Sequence, residues 1–435
     1  MIFKRKLYDK LLVWKQQTAG TKALLIEGAR RIGKSTLVEE FAKNEYRSYL
    51  MIDFNKVSDS VISAFNNYMN DLDTFFLILS SEYGVRLYPK ESIIIFDEIQ
   101  QFPKARQAIK YLVADGRFDY IETGSLISIK ENVNDITIPS EERTLLMYPM
   151  DFEEFAWAMN EEPLMAYIRQ CFDKKVPLEQ GIHAKAMLLF RQYMIVGGMP
   201  KSLSAYLENN RSFEMADMEK RDILTLYRND IKKIKSGYRS SVLSIFDQIP
   251  AFLSRSERRV VMNRIEKGAS FPKYHDTFFW LSDSMIANEC FNCSDPNVGL
   301  SLNEDRTYVK CYMGDTGLLI SHTFDENEIS DGELYREILL GKLSVNEGMF
   351  YENVIAQMLV AAGHKLYFYT RYNQEKHRND MEIDFILSNH SKLRYKIFPI
   401  EVKSNDKYSI RSLTRFNESF RQRIGGRYVI HPKNL

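Results

Sequence analysis

The sequence predicts an α/β protein that begins with a parallel sheet covered by helices. Helical and winged-helix-like regions and a small carboxyl-terminal α/β domain are expected to follow. Three observations predict this order. Short apolar segments alternate with amphipathic stretches over the first 150 residues. The amphipathic stretches repeat apolar residues every three or four positions. Strand signals then give way to helical periodicity and return near the carboxyl terminus.

The elements of the first region follow from these patterns. Strands rich in Ile, Leu and Tyr with little polar interruption are typical of central, buried strands. Five are predicted, at Ala23 to Glu27, Tyr49 to Phe54, Ser92 to Phe96, Asp119 to Thr123 and Thr144 to Tyr148. The helices predicted between them are Lys34 to Asn44, Leu72 to Tyr83 and Lys104 to Ala114.

Four domains are predicted from the changes of pattern, at 1–151, 152–240, 241–330 and 331–435. The second is helical, with a sharp turn at Gly197 to Pro200. The third contains three helices and then a two-stranded hairpin, which is a winged-helix pattern. The fourth begins with a helix to about Ala362, after which strands are predicted at Lys365 to Thr370, Met381 to Leu387, Lys396 to Val402 and Arg427 to Ile430.

Composition narrows the class of protein. Of 435 residues, 45% are hydrophobic and 27% are charged, which is ordinary for soluble globular chains. The net charge of +1 indicates no global affinity for a polyanion. Four scattered cysteines are too few for a disulfide scaffold, and no segment has the apolar length of a signal peptide or membrane span. We therefore expect a cytoplasmic protein with no membrane partner.

A phosphate-binding loop is predicted between the first strand and the first helix of the sheet. The segment Gly28-Ala29-Arg30-Arg31-Ile32-Gly33-Lys34-Ser35 fits G-x-x-x-x-G-K-[ST], and Thr36 follows it. The glycines let backbone N–H groups curl around a phosphate, and the amino terminus of the following helix adds a positive field. Lys34 is expected to contact the β- and γ-phosphates, and Ser35 to ligate Mg²⁺. This is the site expected of a P-loop NTPase.

Acidic residues at the end of a second strand complete that prediction. Asp97 and Glu98 follow the apolar run Ile93 to Phe96. Asp97 is expected to hold Mg²⁺ through water, and Glu98 to polarise the attacking water. Ser125, after the fourth strand, is a candidate sensor of the γ-phosphate, or else part of a plain turn.

Hydrolysis also needs positive charge on the γ-phosphate in the transition state, often from an arginine of a neighbouring copy. Arg143, just before the fifth predicted strand, is the candidate, and its alternative is a solvated surface arginine. A homo-oligomer is a candidate assembly, and the sequence leaves the source of the arginine open.

These motifs resemble a known family. The segments GARRIGKST, IIIFDEIQ, ETGS and YPMDFEEF are similar to the AAA-type ATPase domain of a widespread prokaryotic ATP-binding family. Its members continue into a carboxyl-terminal domain of unknown function, number 4143, which VGGMPKSL and YMGDTGLL resemble in turn. The resemblance implies an AAA-like P-loop NTPase sheet, ATP as the nucleotide and a nuclease-like end. ATP is also preferred over GTP because no guanine-reading N-K-x-D element appears.

A second constellation of charged residues lies near the carboxyl terminus. Asp384, Glu401 and Lys403 form D…E-x-K across consecutive predicted strands, and Glu352 on the preceding helix could join them. Two carboxylates and a lysine can bind Mg²⁺ and orient water against a phosphodiester. By resemblance this is the PD-(D/E)xK nuclease core, either active or retained as an inactive or binding version.

Two weaker patterns carry alternatives. Cys290 and Cys293 have C-x-x-C spacing, and with Cys311 and His322 they are either a zinc site or ordinary buried thiols. Residues 228–267 hold ten Lys and Arg against four acids, with Arg255, Arg258 and Arg259 as the expected exposed cluster. This segment either contacts DNA or is a solvated or packing face.

The sequence therefore predicts an Mg²⁺-dependent ATPase that couples nucleotide state to its carboxyl-terminal regions, and DNA is a candidate partner. Two alternatives stay open: an ATP-switched nuclease or DNA-binding protein, and a signalling scaffold that binds ATP without turning it over.

Overall fold

The computed structural model describes most of the chain and divides it into two compact units, Met1–Tyr148 and Pro149–Leu435. The described residues are 1–125, 140–234, 238–255, 258–260, 265, 271–325, 332–342, 347–373, 378–389, 396–405 and 407–434. Within them, no helix combines the length and the apolar character needed to cross a membrane.

The first unit is built on a five-stranded parallel sheet. Its strands are β1 (Ala23–Glu27), β2 (Ser48–Asp53), β3 (Ser92–Asp97), β4 (Asp119–Gly124) and β5 (Glu142–Leu146), and their order in the sheet is β2-β3-β4-β1-β5. Every pairing is parallel, and β3 is buried along its whole length. This confirms the predicted P-loop NTPase sheet. The first four strands lie within one residue of their predicted bounds, whereas β5 lies two residues earlier than predicted.

Helices in the connections between the strands cover this sheet. They are α1 (Leu7–Gln17), α2 (Lys34–Glu45), α3 (Asp59–Asn67), α4 (Leu72–Tyr83) and α5 (Pro103–Asp115). Aromatic rings fill the core beneath α3 and α4, where Phe65 meets Phe75 edge-on with centroids 5.0 Å apart. The resulting rigid sheet places the carboxyl ends of β1, β3 and β4 at one edge.

The second unit begins with helices and ends with two small sheets. Its described helices are α6 (Phe152–Ala158), α7 (Glu162–Lys174), α8 (Gln180–Val196), α9 (Pro200–Glu208), α10 (Phe213–Lys232), α11 (Arg239–Leu253), α12 (Phe271–Asp283), α13 (Thr316–Thr323), α14 (Gly332–Leu340), α15 (Glu347–Ala361) and α16 (Arg411–Phe420). The described residues from Phe152 to Lys232 contain helices and no strand, which agrees with the helical periodicity of that stretch.

The strands of the second unit form a four-stranded and a three-stranded sheet. They are β6 (Ala287–Cys293), β7 (Glu304–Met313), β8 (Leu366–Asn373), β9 (Arg378–Ile383), β10 (Phe385–Asn389), β11 (Lys396–Val402) and β12 (Tyr428–Ile430). Their orders are β7-β6-β8-β9 and β10-β11-β12.

The hairpin predicted as a separate wing is part of the larger sheet. Strands β6 and β7 pair antiparallel, and the free edge of β6 then pairs in parallel with β8. An unpaired β6 edge would leave backbone N–H and C=O groups without partners, and β8 satisfies them. The predicted third and fourth regions therefore share one sheet.

Candidate functional site

The phosphate loop joins the end of β1 to the start of α2, where the sequence predicts it. Gly33 caps α2 with φ of 90°, a left-handed conformation that glycine adopts without steric cost. Gly28 is required for a different reason. A Cβ there would lie 2.4 Å from the carbonyl oxygen of Met147 and 2.5 Å from Cδ1 of Ile32. Only glycine permits this close approach of the loop to the strand beside it.

Lys34 lies inside the loop and is almost completely buried. Its Nζ donates hydrogen bonds of 2.9 Å and 2.8 Å to the carbonyl oxygens of Gly28 and Ala29. Burial lowers the pKa of Lys34 to about 8, partly offset by the nearby carboxylates of Glu98 and Asp97. The ammonium is therefore held where anionic oxygens would stabilise its charge.

Ser35 and Asp97 connect the loop to the acid strand. The Ser35 hydroxyl donates a hydrogen bond of 2.7 Å to Oδ1 of Asp97. Thr123 Oγ1, at the end of β4, donates to the same carboxylate oxygen. A hydroxyl and a carboxylate side by side are the hard oxygen ligands that Mg²⁺ prefers. These residues fit a magnesium ion that also takes ligands from a nucleotide and water.

Glu98 has an unusual backbone. Its φ of 56° is left-handed, which costs a residue other than glycine about 1–2 kcal/mol. Gln100 Nε2 donates a hydrogen bond to the carboxylate Oε2, and the Glu98 N–H lies 3.4 Å from Thr123 Oγ1. The first contact orients the carboxylate, and the second fixes the backbone beside Asp97.

The remaining predicted residues of the loop region differ in exposure. Arg31 and Thr36 are exposed, whereas Ile32 and Ser125 are buried. Ser125 follows β4, the strand between β1 and β3, so it lies between the phosphate loop and the acid strand along the sheet edge. Arg30 lies close enough to Lys34 to lower its pKa.

Arg143 lies away from the phosphate loop of its own chain. It is an exposed residue within the edge strand β5, paired with Leu24 rather than with the end of β1. The loop begins four residues beyond Leu24, a distance of about 13 Å along a strand. Arg143 therefore lies nearer the opposite edge of the sheet.

Two residues that contact the phosphate loop or the acid strand were not predicted from the sequence. Thr123 lies on a strand predicted only as core, and its hydroxyl touches Asp97 because β3 and β4 are neighbours. Arg5 precedes the first helix, and its guanidinium donates to the carbonyl oxygens of Ile32, at 2.9 Å, and Tyr148, at 2.6 Å. A buried arginine thus fixes the phosphate loop from outside it. No spacing rule indicates either contact.

The carboxyl-terminal constellation is partly assembled. Lys403 Nζ lies 2.9 Å from Oε2 of Glu401, and Asp384 accepts a hydrogen bond of 2.8 Å from the Val402 N–H. Glu352 is fully buried on α15 and forms ion pairs with Arg258 and Lys310. Burial raises the pKa of Glu401, with Lys403 opposing the shift. An open pocket of about 450 Å³ is lined by Arg258, Glu352, Glu382, Asp384 and Lys403.

The weaker patterns have structural explanations. The four cysteines are free and buried, and the described residues contain no group of three His, Cys, Asp or Glu side chains arranged to hold a metal ion. His322 stacks on Phe246 and contacts its carbonyl oxygen. Burial raises the pKa of the Cys293 thiol to about 11, which keeps it protonated. The described geometry therefore favours ordinary buried thiols.

Much of the basic segment is used within the chain. Arg228 pairs with Asp247 and Asp325, and Arg258 pairs with Glu352. Arg255 and Arg259 lie over the rings of Phe252 and Tyr308. Three further basic residues of the segment, Lys235, Arg264 and Lys267, lie outside the described residues. The described arginines of the segment act mainly in packing.

Comparison with protein families divides the chain into three matched regions. Residues 20–156 match the model of an AAA domain. Residues 187–328 match a domain of unknown function numbered 8612, and residues 347–435 match the domain of unknown function 4143. The segments VGGMPKSL and YMGDTGLL fall in the middle match rather than in the 4143 region. A comparison with curated proteins found no match.

Solved structures show only distant similarity. The RuvB Holliday junction branch migration motor of Thermotoga maritima has a TM-score of 0.28 and 12% identity, covering 66% of this chain and 89% of its own. DnaA from Aquifex aeolicus with AMPPCP bound has a TM-score of 0.25 and 11% identity, and the match covers 65% of this chain and 90% of DnaA. Cdc6p from Pyrobaculum aerophilum has a TM-score of 0.28 and 10% identity, and the match covers 78% of this chain and 93% of Cdc6p. TM-scores this low indicate nothing about what this chain binds.

Proposed function

We propose that this chain, which joins an AAA domain to the domain of unknown function 4143, is a magnesium-dependent ATPase. The observation that carries the proposal is the contact between Ser35 and Asp97. It brings the last residue of the loop motif and the acid of a separate strand within 2.7 Å, although 62 residues separate them in the chain.

The residues of the loop supply binding. The N–H groups of residues 28–36 and the amino terminus of α2 would bind an anionic phosphate tail. Lys34 would then exchange its carbonyl partners for phosphate oxygens. Mg²⁺, held by Ser35 and Asp97 together with nucleotide oxygens, would neutralise charge on the phosphates. Thr123 orients Asp97 by donating to its carboxylate.

Glu98 is the proposed general base. Its carboxylate is held by Gln100 and can accept a proton from the attacking water. Arg143 is proposed as an arginine finger that acts on the phosphate loop of another copy of the chain, because it lies away from its own loop. Ser125 is the proposed sensor of the γ-phosphate at the end of β4.

The proposed activity has a direct test. Titration calorimetry of the purified full chain with ATP, with and without Mg²⁺, is expected to show magnesium-dependent binding, and phosphate release is expected at saturating ATP. Lys34→Ala is expected to abolish both. An absence of nucleotide binding by folded wild-type protein would refute the proposal. Binding with no turnover would instead favour a signalling scaffold.

Action on DNA, a winged-helix role for 241–330 and a cytoplasmic location remain predictions of the sequence. The same ATPase assay, repeated with added duplex DNA, separates a DNA-coupled enzyme from one with another partner, because stimulation is expected only in the first case.

A further inference from the structure

The carboxyl-terminal carboxylates surround a cation that belongs to the chain itself. Lys310, on β7, is fully buried, and its Nζ lies 2.9 Å from Oε1 of Glu382 and 3.1 Å from Oε1 of Glu352. Oδ1 of Asp384 is 4.0 Å away. The ammonium therefore lies among three acids that come from a helix, a strand and the link after that strand.

Two of these acids, Glu352 and Asp384, form further bonds. Arg258 pairs with Oε2 of Glu352, and the Tyr312 hydroxyl donates to Oε1 of the same carboxylate. The second oxygen of Asp384 accepts the Val402 N–H. Glu401 is paired with Lys403 and does not line the pocket. Glu352, Glu382 and Asp384 are thus each contacted by a cation or a donor of this chain.

A divalent ion does not fit this arrangement. Mg²⁺ would need oxygen ligands at about 2.1 Å in near-octahedral geometry, and the ammonium lies where these oxygens converge. A buried ammonium also needs its carboxylates, because a charge without a partner in the interior is strongly destabilising. The ammonium occupies the point that the three carboxylates share and supplies positive charge that a metal ion would otherwise bring.

We propose that the Lys310 ammonium replaces a divalent cation among Glu352, Glu382 and Asp384, so that the nuclease-like region binds no catalytic metal and cuts no phosphodiester. The acids and the lysine then serve as a structural ion cluster beneath the pocket. This proposal is independent of ATP hydrolysis by the amino-terminal unit.

The test is Mn²⁺ binding to the nucleotide-free full chain, measured by calorimetry and by the electron paramagnetic resonance signal of free Mn²⁺. The experiments use an Asp97→Asn background to remove a cation held at the phosphate loop. The background protein alone is expected to bind no Mn²⁺ at millimolar concentration, whereas adding Lys310→Ala is expected to create a site. Lys403→Ala is the matched control, because it removes a lysine of the same pocket but leaves Lys310 in place. It should create no site.

Thermal unfolding provides a second readout. Lys310→Ala removes the cation that the three carboxylates share, so its unfolding midpoint should fall and should rise again when Mn²⁺ is added. If the variant does not fold, Lys310→Met combined with Glu352→Gln removes one charge of each sign, and Mn²⁺ should still raise its midpoint. Failure of Mn²⁺ to bind or stabilise either folded variant would overturn the proposal.

A plasmid-nicking assay with Mg²⁺ or Mn²⁺ addresses the activity itself. The wild-type chain is expected to leave supercoiled plasmid intact. Metal-dependent nicking by the wild type that is lost in both Asp384→Ala and Lys403→Ala would overturn the proposal. The proposal would also fail if the wild type bound Mn²⁺ and Asp384→Ala abolished that binding. Neither result bears on the proposed ATP hydrolysis by the amino-terminal unit.

Discussion

The hydroxyl of Ser35 donates to the carboxylate of Asp97 at 2.7 Å, and this bond joins the phosphate loop to the end of the acid strand. Hydrogen bonds from Ser35 and Thr123 converge on one oxygen of Asp97. The contact depends on the strand order, which sets β3 one strand away from β1 with β4 between them. Loop, acid and intervening strand thus form one rigid edge.

Asp97→Asn is expected to weaken binding of Mg²⁺–ATP by about 10–100-fold, because the amide cannot supply the negative charge that the ion requires. Binding of ATP without metal should change little, since the loop and Lys34 are intact. Calorimetry with Mg²⁺ or with a chelator measures both values. Asp53→Asn is the matched control. Asp53 pairs in register with Asp97 on the neighbouring strand, but its carboxylate accepts from the Asn55 N–H. Equal losses in both variants would contradict the assigned role of Asp97.

Glu98→Gln is expected to retain ATP binding and to lower turnover by about 10²–10⁴-fold, because an amide cannot accept the proton of the attacking water. Calorimetry and a phosphate-release assay measure the two effects. Gln100→Ala tests the positioning of that carboxylate, and it should lower turnover less than Glu98→Gln does. Unchanged turnover in Glu98→Gln would exclude Glu98 as the base.

Nucleotide binding is expected to take up a proton above about pH 8. Burial holds the pKa of Lys34 at about 8 in the free protein, below its ordinary value of 10.5, so the side chain loses its proton as the pH rises through 8. Phosphate anions favour the charged form, and binding must then restore that proton. Affinity should fall by up to about tenfold for each pH unit above 8.

Calorimetry in two buffers of different ionisation enthalpy measures this proton directly. The uptake should be near zero at pH 7 and should approach one at pH 9. The sign for stability is opposite. Between about pH 8 and 10.5 the unfolded chain binds more protons at Lys34 than the folded chain, so this residue's contribution to stability rises with pH. A proton number that is the same at both pH values would rule out Lys34 as the titrating group.

The strands of the first unit were predictable because their environments leave a clear signature. Buried central strands such as β3 are continuous apolar runs, and the strand bounds can be predicted from the polar residues at which each run begins and ends. Strand β5 lies at the sheet edge with Arg143 and Thr144 exposed, so apolar character did not mark where its pairing begins. Its predicted position was therefore two residues too late.

The sites were predictable only where they are local in sequence. The phosphate loop is one continuous segment, and the acid follows a strand directly. Thr123, Arg5 and Lys310 reach their partners through tertiary packing, across 26, 27 and 42 residues. The sequence also predicts one strand at 381–387, but Asp384 separates β9 from β10, which belong to different sheets. No pattern in the chain indicates that Lys310 enters the acidic cluster.

Arg143 gives a prediction about assembly. Because it lies away from its own phosphate loop, Arg143→Ala should lower turnover only if the residue acts on a neighbouring copy. Mixing Arg143→Ala with Lys34→Ala should then restore part of the activity, since a mixed pair joins an intact loop to an intact arginine. Each variant alone should be inactive or nearly so. Full activity of Arg143→Ala by itself would assign the residue to the solvated surface.

The last prediction concerns Gly198, whose backbone packs closely against Met150 and Asp315. Gly198 donates its N–H to Oδ2 of Asp315 at 2.6 Å and accepts from the Met150 N–H at 2.8 Å. A Cβ at Gly198 would lie 2.2 Å from the carbonyl oxygen of Met150 and 2.8 Å from its nitrogen, and backbone atoms cannot move aside as a flexible side chain can. Gly198→Ala should therefore lower the free energy of unfolding by about 3 kcal/mol and the midpoint by several degrees. Scanning calorimetry measures both. Gly426→Ala is the control, because its Cβ would meet only side-chain atoms, the Phe398 ring at 3.4 Å and the Tyr428 hydroxyl at 3.5 Å. Equal midpoints for the two variants would mean that the segment around Gly198 yields more readily than its contacts indicate.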